Sequence, residues 1–220
     1  MPKELLLEIG TEEIPAGFIP AALKAMEDMA AKALAGARLE SASIRAMGNP
    51  RRLMLHVTGL PERQPDAVRE SFGPPKSAAY DSEGHFTKAA TGFAKGQGVD
   101  VDKLAVKMTE KGEYLCAVVE EKGAPSGQVL AELLPKLILS LPFPKSMRWA
   151  DRDIRFARPI HWILALFGGE VVHFEVDGIK SGNLTRGHRF MSPGAFMVKD
   201  YESYMRQTKE NFTIVDPAVR

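Results

Sequence analysis

The chain has 220 residues, of which 45% are hydrophobic and 26% are charged, and its formal net charge is +1. These ordinary globular values exclude bulk disorder, and the length suffices for one large domain or two small ones. The single cysteine, Cys116, excludes an intrachain disulfide and a cysteine-cluster zinc site, and we expect it to be a reduced thiol within a strand.

The beginning of the chain predicts a β-α-β-β unit. Residues 3–9 are dense in Leu and Ile and indicate a half-buried strand, and the acids beside them are not typical of a signal peptide. Apolar residues recur at helical spacing over 20–35, between a proline suited to the first turn and Gly36. Residues 41–47 and 52–58 then indicate two strands across a Gly-Asn-Pro turn.

The middle of the chain predicts a surface excursion, a hairpin and a second helix. Prolines, glycines and charges mark the excursion over 61–104, which also holds a short helix capped by Thr87. Two strands, 105–109 and 113–120, flank a turn that contains glycine. A helix capped by Ser126 follows, and its wide apolar face indicates burial against a sheet or another subunit.

The last part of the chain predicts three more strands, at 160–167, 171–176 and 184–190, the first two joined by a Gly-Gly turn. Together the elements predict an α+β fold with a largely antiparallel sheet packed with helices. We expect one region over 1–220, with sub-lobes 1–60 and 105–200 joined by the excursion. No apolar run approaches membrane-spanning length, so we expect a cytoplasmic protein.

One stretch, residues 145–191, concentrates the features of an anion-binding surface. It holds both tryptophans, three of the five histidines and eight Lys/Arg against five Asp/Glu, whereas the rest of the chain has 21 basic and 23 acidic residues. Guanidinium groups bind phosphates bidentately, and aromatic planes stack unpaired bases. Within this stretch, we expect His161 and Trp162 to be core residues. The candidate RNA-binding residues are Arg51, Arg52, Lys145, Arg148, Arg155, Arg158, Arg186, His188 and Arg189.

A structural alternative applies to the same arginines, which can instead pair with internal acids and hold loops together. The candidate acids are Glu12, Glu13, Asp151 and Asp153. Adjacent carboxylates such as the first two are also acid–base candidates, although a solvated turn or an arginine-pairing site is the commoner reading. The chain has no metal-ligand spacing, nucleophile elbow or phosphate-binding loop. The sequence therefore predicts no catalytic residue, metal or cofactor here.

Five short motifs in series resemble one family. They are EIGTEEIP at 8–15, PRRL at 50–53, PKSMRW at 144–149, FARPIHW at 156–162 and GHRF at 187–190. In this order they resemble the N-terminal part of the β subunit of bacterial heterotetrameric glycyl-tRNA synthetase. Ile14 stands where that family commonly has leucine. From the first motif we expect structural roles for Glu8, Gly10, Thr11, Glu12, Glu13 and Pro15.

The resemblance implies that a partner α subunit carries the class II catalytic core, with ATP and Mg²⁺, whereas β supplies tRNA-binding regions and docks on α. Because the family's β chain is several times longer, we expect an N-terminal fragment that does not charge tRNA alone. The expected role is tRNA binding and subunit assembly in glycine–tRNA ligase, with the α subunit and tRNA-Gly as partners. Two alternatives stay open. One is a protein-interaction domain that contacts the α subunit or other β domains without RNA. The other is a hydrolytic editing domain, for which the small size of glycine leaves little need.

Overall fold

The structure, a computed structural model, describes residues 2–149 and 153–219. Its strands, in chain order, are β1 (Lys3–Thr11), β2 (Ser43–Asn49), β3 (Arg52–Leu60), β4 (Ala67–Pro75), β5 (Ala105–Thr109), β6 (Gly112–Glu121), β7 (Ile160–Phe167), β8 (Glu170–Val171), β9 (Glu175–Val176), β10 (Ile179–Gly182), β11 (Leu184–Arg186) and β12 (Ala195–Met197). Its α-helices are α1 (Ile19–Gly36), α2 (Lys76–Ala79), α3 (Lys88–Gln97), α4 (Ser126–Leu139) and α5 (Tyr201–Glu210). These elements confirm the predicted α+β class.

The chain divides into two compact units, Met1–Gln64 with Ala124–Arg220, and Pro65–Gly123. This boundary differs from the expected sub-lobes, because part of the expected excursion is folded together with the predicted hairpin. Strand β4 pairs antiparallel with β6, and β6 pairs antiparallel with β5. The second unit is therefore a three-stranded sheet with its own helices.

The core of the second unit is small and rich in alanine. Ala90 and Ala94 of α3 pack with Leu115 and Ala117 of the sheet, and Cys116 of the same strand is buried with a free thiol. The expectation of a surface excursion is therefore wrong for 67–79, which form β4 and α2, whereas the predicted short helix is confirmed as α3. Thr87 precedes α3, but its hydroxyl donates to the carbonyl of Ala78, so it does not cap the helix through its side chain.

The main sheet belongs to the first unit and has the strand order β2-β3-β1-β7-β10-β9, with β8 beside β7. Strand β1 lies between β3 and β7 and is antiparallel to both, so that Leu7 faces Leu55 on one side and Ala165 on the other. The pairing of β10 with β7 is parallel. The prediction of a largely antiparallel sheet is confirmed.

Strand β1 is buried on both of its faces. Leu5, Leu7 and Ile9 pack in the cluster that contains the apolar sides of α1 and α4, whereas Leu6 packs in a second cluster with Tyr204 of α5. The expectation of a half-buried strand is therefore wrong, because the helix that covers its second face was not predicted. Side chains alternate across a strand, so residue 8 lies on the same face as Leu6.

Several local predictions need correction. Ser126 is the first residue of α4 and donates its hydroxyl to the carbonyl of Pro61, at 2.6 Å, so it is not the cap. The helix continues through Pro135. The turn residues Gly168 and Gly169 have φ of 58° and 84°, as the predicted hairpin requires. Among the residues that the structure describes, no helix is both long and apolar enough to cross a bilayer.

Candidate functional site

The five sequence motifs meet at one end of the main sheet. The backbone N–H of Thr11 donates to the carbonyl of Arg51, and that of Glu12 donates to the carbonyl of Pro159, at 2.9 and 3.0 Å. Met147 and Phe156 exchange two backbone hydrogen bonds, which attach the third motif to the fourth. We call this region the motif end; it comprises residues 8–15, 49–53, 144–149, 153–162 and 184–192.

A buried carboxylate is at the centre of the motif end. Glu8 has no exposed surface, and its two oxygens accept four side-chain hydrogen bonds. Trp162 and Thr185 donate to Oε1, whereas Arg52 and Tyr204 donate to Oε2. These donors belong to β7, β11, β3 and α5, so one side chain holds four elements on the strand that carries it. A buried charge is tolerated when it is paired and fully hydrogen-bonded in this way.

Arg52 is part of this buried network and is only 2% exposed. Its NH1 donates to Glu8 at 3.2 Å and its NH2 donates to the carbonyl of Arg186 at 2.7 Å. Burial lowers the pKa of Arg52, but the Glu8 carboxylate and Tyr204 raise it, and the net shift is upward. A guanidinium committed to internal partners has no surface to offer a phosphate. The prediction of RNA contact is therefore corrected for Arg52.

Gly10 explains how a tryptophan fits beside this arginine. In the sheet register Gly10 faces Arg52 on one side and Trp162 on the other. A Cβ at position 10 would lie 1.9 Å from the indole Cε2, so the ring occupies space that any other residue would fill. The indole also lies 5.6 Å from the Arg52 guanidinium and 5.8 Å from that of Arg186, a cation–π arrangement. The core position expected for Trp162 is confirmed, as it is 9% exposed.

The remaining acids of the first motif form a surface cluster. Glu12 lies 3.0 Å from Nε2 of His161 and 3.9 Å from Arg189, and Glu13 lies 3.7 Å from the same guanidinium. Arg189 therefore has the acidic neighbours that the structural alternative requires, although its side chain keeps 49% of its surface exposed. His161 was expected in the core, but it points to this exposed cluster because successive residues of β7 face opposite sides.

The other residues of the first motif shape its turn. Thr11 is buried, and its hydroxyl has no hydrogen-bond partner among the described residues. Pro15 precedes a single 3-10 turn and accepts the backbone N–H of Phe18. Together these contacts direct the chain from β1 into α1.

Between α4 and β7 lies a loop that carries exposed cations. Lys145, Arg148 and Arg155 are exposed and form no ion pair within the part of the chain that the structure describes. Arg158 is half-buried and donates to the carbonyl of Ala157 at 2.9 Å. Asp151, one of the acids proposed to pair with them, lies outside the described residues. The exposed loop cations therefore remain candidates for binding.

The last motif, GHRF, forms a tight turn. Strand β11 ends at Arg186, which is exposed, so the strand predicted over 184–190 is too long. Nδ1 of His188 accepts the backbone N–H groups of Phe190 and Met191, both at 3.3 Å, and its carbonyl accepts the N–H of Ser192. The imidazole thus organises the turn through one nitrogen. The turn leaves Phe190 81% exposed.

A cleft of about 480 Å³ lies beside this turn. Its walls come from the first, second and fifth motifs and from the segment after α5. The lining residues are Glu13, Asn49, Pro50, Arg51, Arg52, Gly187, His188, Arg189, Phe190, Phe212, Thr213 and Ile214. The cleft thus combines guanidinium groups with exposed apolar side chains.

Sequence reasoning missed Tyr204, Thr185 and Phe212. Helix α5 was not predicted, although its start carries a capping box in which Asp200 and Ser203 bond each other's backbone N–H groups. An aspartate followed by apolar residues at helical spacing is a helix-start signal that would have found it. The hydrogen bond from Tyr204 to Glu8 has no local signal in the sequence, because the two residues are 196 positions apart.

Comparisons with known proteins agree with the motif series. Residues 5–220 match the family model described as "Glycyl-tRNA synthetase beta subunit". The chain is 57% identical over 216 residues to the "Glycine--tRNA ligase beta subunit" of Trichlorobacter lovleyi, covering 98% of this chain and 31% of that protein. It is 55% identical over 218 residues to the protein of the same description from Geobacter metallireducens, with 99% and 32% covered. The protein of that description from Syntrophus aciditrophicus is 51% identical over 220 residues, with 100% and 32% covered. The chain thus spans about a third of the length of these relatives.

Proposed function

The chain belongs to the glycyl-tRNA synthetase beta subunit family, and from that premise we propose that it is a tRNA-binding and subunit-assembly region of glycine–tRNA ligase. On this proposal the partner α subunit attaches glycine to tRNA-Gly with ATP, in a heterotetramer with β. This region supplies phosphate contacts that position the tRNA and no catalytic group. Phosphate contacts supply affinity and register, so sequence specificity comes from elsewhere in the enzyme.

The observation that carries the proposal is the set of exposed and half-buried cations around the motif end. The sequence of residues 144–159 contains five Lys/Arg and two Asp, a net charge of +3. The nearby acids Glu8, Glu12 and Glu13 already have cationic or histidine partners within the fold. The remaining cations around the motif end therefore have no nearby acid to neutralise them among the described residues. They are Arg51, Lys145, Arg148, Arg155, Arg158 and Arg186.

Charge reversal of three loop cations tests the proposal. In the full α/β enzyme, the triple variant Lys145→Glu, Arg148→Glu, Arg155→Glu should bind tRNA-Gly more weakly. The slope of log K against log salt should become shallower by about 2 to 3, since each phosphate contact contributes about 0.7 to 0.9. Fluorescence anisotropy over a range of KCl concentrations measures both quantities.

A matched control separates local contact from net charge. Lys32, Lys88 and Lys122 are exposed and lie outside the motif end. Reversing these three changes the net charge by the same amount and should leave the salt slope unchanged. Equal affinity and slope for the loop variant and the wild type would reject direct tRNA contact by this loop.

A groove between α1 and α4 favours the protein-interaction alternative. It has a volume of about 420 Å³, and Met29, Val129 and Leu133 are half-buried in it. Apolar side chains at helical spacing along such a groove accept an amphipathic partner helix. Leu133→Glu should then reduce capture of the α subunit by the β subunit in nuclease-treated samples. The control Leu139→Glu changes an exposed leucine of the same helix outside the groove. Full α capture by the Leu133 variant would remove this alternative for the groove.

A further inference from the structure

The GHRF turn presents a largely exposed aromatic ring, that of Phe190. Phe190 is 81% exposed, and neighbouring Met191 is 59% exposed. The turn is well ordered by hydrogen bonds, since His188 accepts from the backbone of both residues. A large apolar ring held in water by an organised turn, beside guanidinium groups, is typical of a contact surface. The Arg189 guanidinium lies 5.6 Å from the centre of this ring.

A second exposed aromatic ring lines the same cleft from the end of α5. Phe212 has φ of 57°, in the left-handed region that favours glycine. The N–H of Phe212 donates to the carbonyl of Lys209, and that of Thr213 to the carbonyl of Thr208, which is the Schellman ending of a helix. Glycine is the usual residue at this position, yet here a phenylalanine occupies it with 56% of its surface exposed. A bulky side chain at a strained position of the backbone indicates a use for the ring.

The cleft also contains hydrogen-bond donors without an internal acceptor. Arg51 lines the cleft, is half-buried and forms no ion pair among the described residues. Nδ1 of His188 is an acceptor, so in the neutral ring Nε2 carries the proton and is a donor. The volume of about 480 Å³ falls in the range of sites that hold a small planar ligand.

We propose that this cleft binds one unpaired nucleotide of the bound RNA, with its base stacked on Phe190 and in contact with Phe212, and with its phosphate at Arg51. Aromatic rings stack on bases of any sequence, and guanidinium groups hold the adjoining backbone. Paired nucleotides do not enter, because their bases are stacked within the helix. This inference rests on the proposed tRNA-binding function and names the part of the RNA that this cleft recognises.

Substitutions that separate stacking from simple apolar contact test the inference. In the full α/β enzyme, Phe190→Leu keeps an apolar side chain but removes the ring, and should weaken tRNA-Gly binding by about 5- to 100-fold. Phe190→Trp keeps a stacking plane and should bind within about 3-fold of the wild type, with its added indole fluorescence quenched by tRNA. Neither substitution removes a phosphate contact, so the salt slope should stay unchanged.

Two further substitutions distinguish a contact within the cleft from a general effect of changing an exposed apolar residue. Met191→Ala alters the next exposed residue of the same turn, which does not line the cleft, and should bind tRNA like the wild type. Phe212→Asn keeps a residue that tolerates the left-handed conformation and should weaken binding as Phe190→Leu does. Thermal unfolding of each variant, which should match the wild type, verifies that the fold is intact.

Each other outcome overturns the inference. Wild-type affinity of Phe190→Leu, or equal weakening by Leu and Trp, would exclude stacking at this ring. Loss of α/β association by Phe190→Leu without RNA would assign the cleft to a protein contact. If the loop charge reversal weakens tRNA binding but the cleft variants do not, only this inference fails; if neither set has an effect, the proposed function fails as well.

Discussion

The hydroxyl of Tyr204 donates a hydrogen bond to Oε2 of Glu8 across 196 positions of the chain. Both side chains are fully buried, and the bond joins the helix α5 to the central strand of the main sheet. The same carboxylate holds Arg52 and Trp162, which belong to two of the sequence motifs. Helix α5 therefore helps to bury the Glu8 carboxylate, which in turn holds Arg52 and Trp162 in place at the motif end.

Removing the Tyr204 hydroxyl should destabilise the fold. Tyr204→Phe leaves the Glu8 oxygen with one donor fewer in a buried site, which costs about 1–3 kcal/mol. Urea unfolding followed by circular dichroism measures the change. Tyr201→Phe is the matched control: that ring is half-buried and stacks on His56, so its hydroxyl should contribute less than about 0.5 kcal/mol. Equal effects of the two substitutions would contradict the role of the Glu8 bond.

Stability should fall at alkaline pH through Tyr204. Burial, and after it the Glu8 carboxylate, raises the pKa of Tyr204 well above its ordinary value of 10.0. A group with a raised folded-state pKa contributes stability that is complete below the unfolded pKa and is lost as pH rises through the folded pKa. At about pH 11, one unit above the unfolded pKa, the loss from this residue is about 1.4 kcal/mol. The difference between wild type and Tyr204→Phe in urea midpoint should therefore shrink between about pH 8 and 11. A constant difference would show that Tyr204 ionises normally.

The adjacent arginines of the second motif should behave differently. Arg52→Ala leaves the buried Glu8 carboxylate without its cation, which costs about 3–5 kcal/mol of unfolding free energy. Arg51→Ala removes a half-buried side chain without an ion pair among the described residues, so its effect on stability should stay below about 1 kcal/mol. In the full α/β enzyme, Arg51→Ala should instead weaken tRNA binding. A reversed order of stability effects would contradict the burial of Arg52.

Gly10→Ala should be strongly destabilising. The added Cβ overlaps the indole of Trp162 at 1.9 Å, so the ring must move and lose its bond to Glu8. Overpacking together with the lost hydrogen bond costs about 2–5 kcal/mol, and the tryptophan emission should shift to the red as the ring meets water. Gly17→Ala, with nothing within 4 Å of its added Cβ, should change stability by less than about 0.5 kcal/mol. An unshifted emission spectrum for Gly10→Ala would contradict the packing of the indole over the glycine.

Local patterns predicted much of the fold correctly. The periodicity of α1 and the Gly-Gly turn after β7 each depend on residues near in sequence, and both are confirmed. Strand β4 was missed because Pro and Gly conceal its pattern, and its stability comes from pairing with β6. Helix α5 was missed although its capping box lies in the sequence. The exposed side of β7 was misjudged at His161, since a continuous apolar run does not show which face meets solvent.

The sequence by itself determined the α+β class, the family resemblance and the set of basic residues, because composition, periodicity and motifs are local properties. Only the tertiary structure decided which arginine is buried in an internal ion pair and which remains available to a partner. Arg51 and Arg52 are neighbours with the same chemistry, but Arg51 lies in the turn before β3, whereas Arg52 is the first residue of that strand. Arg52 donates to the carboxylate of Glu8 and is 2% exposed, whereas Arg51 is half-buried and has no ion pair among the described residues. The physical reason is long-range pairing. Glu8, the acid that pairs with Arg52, lies 44 positions away, and no local pattern of the sequence encodes that contact.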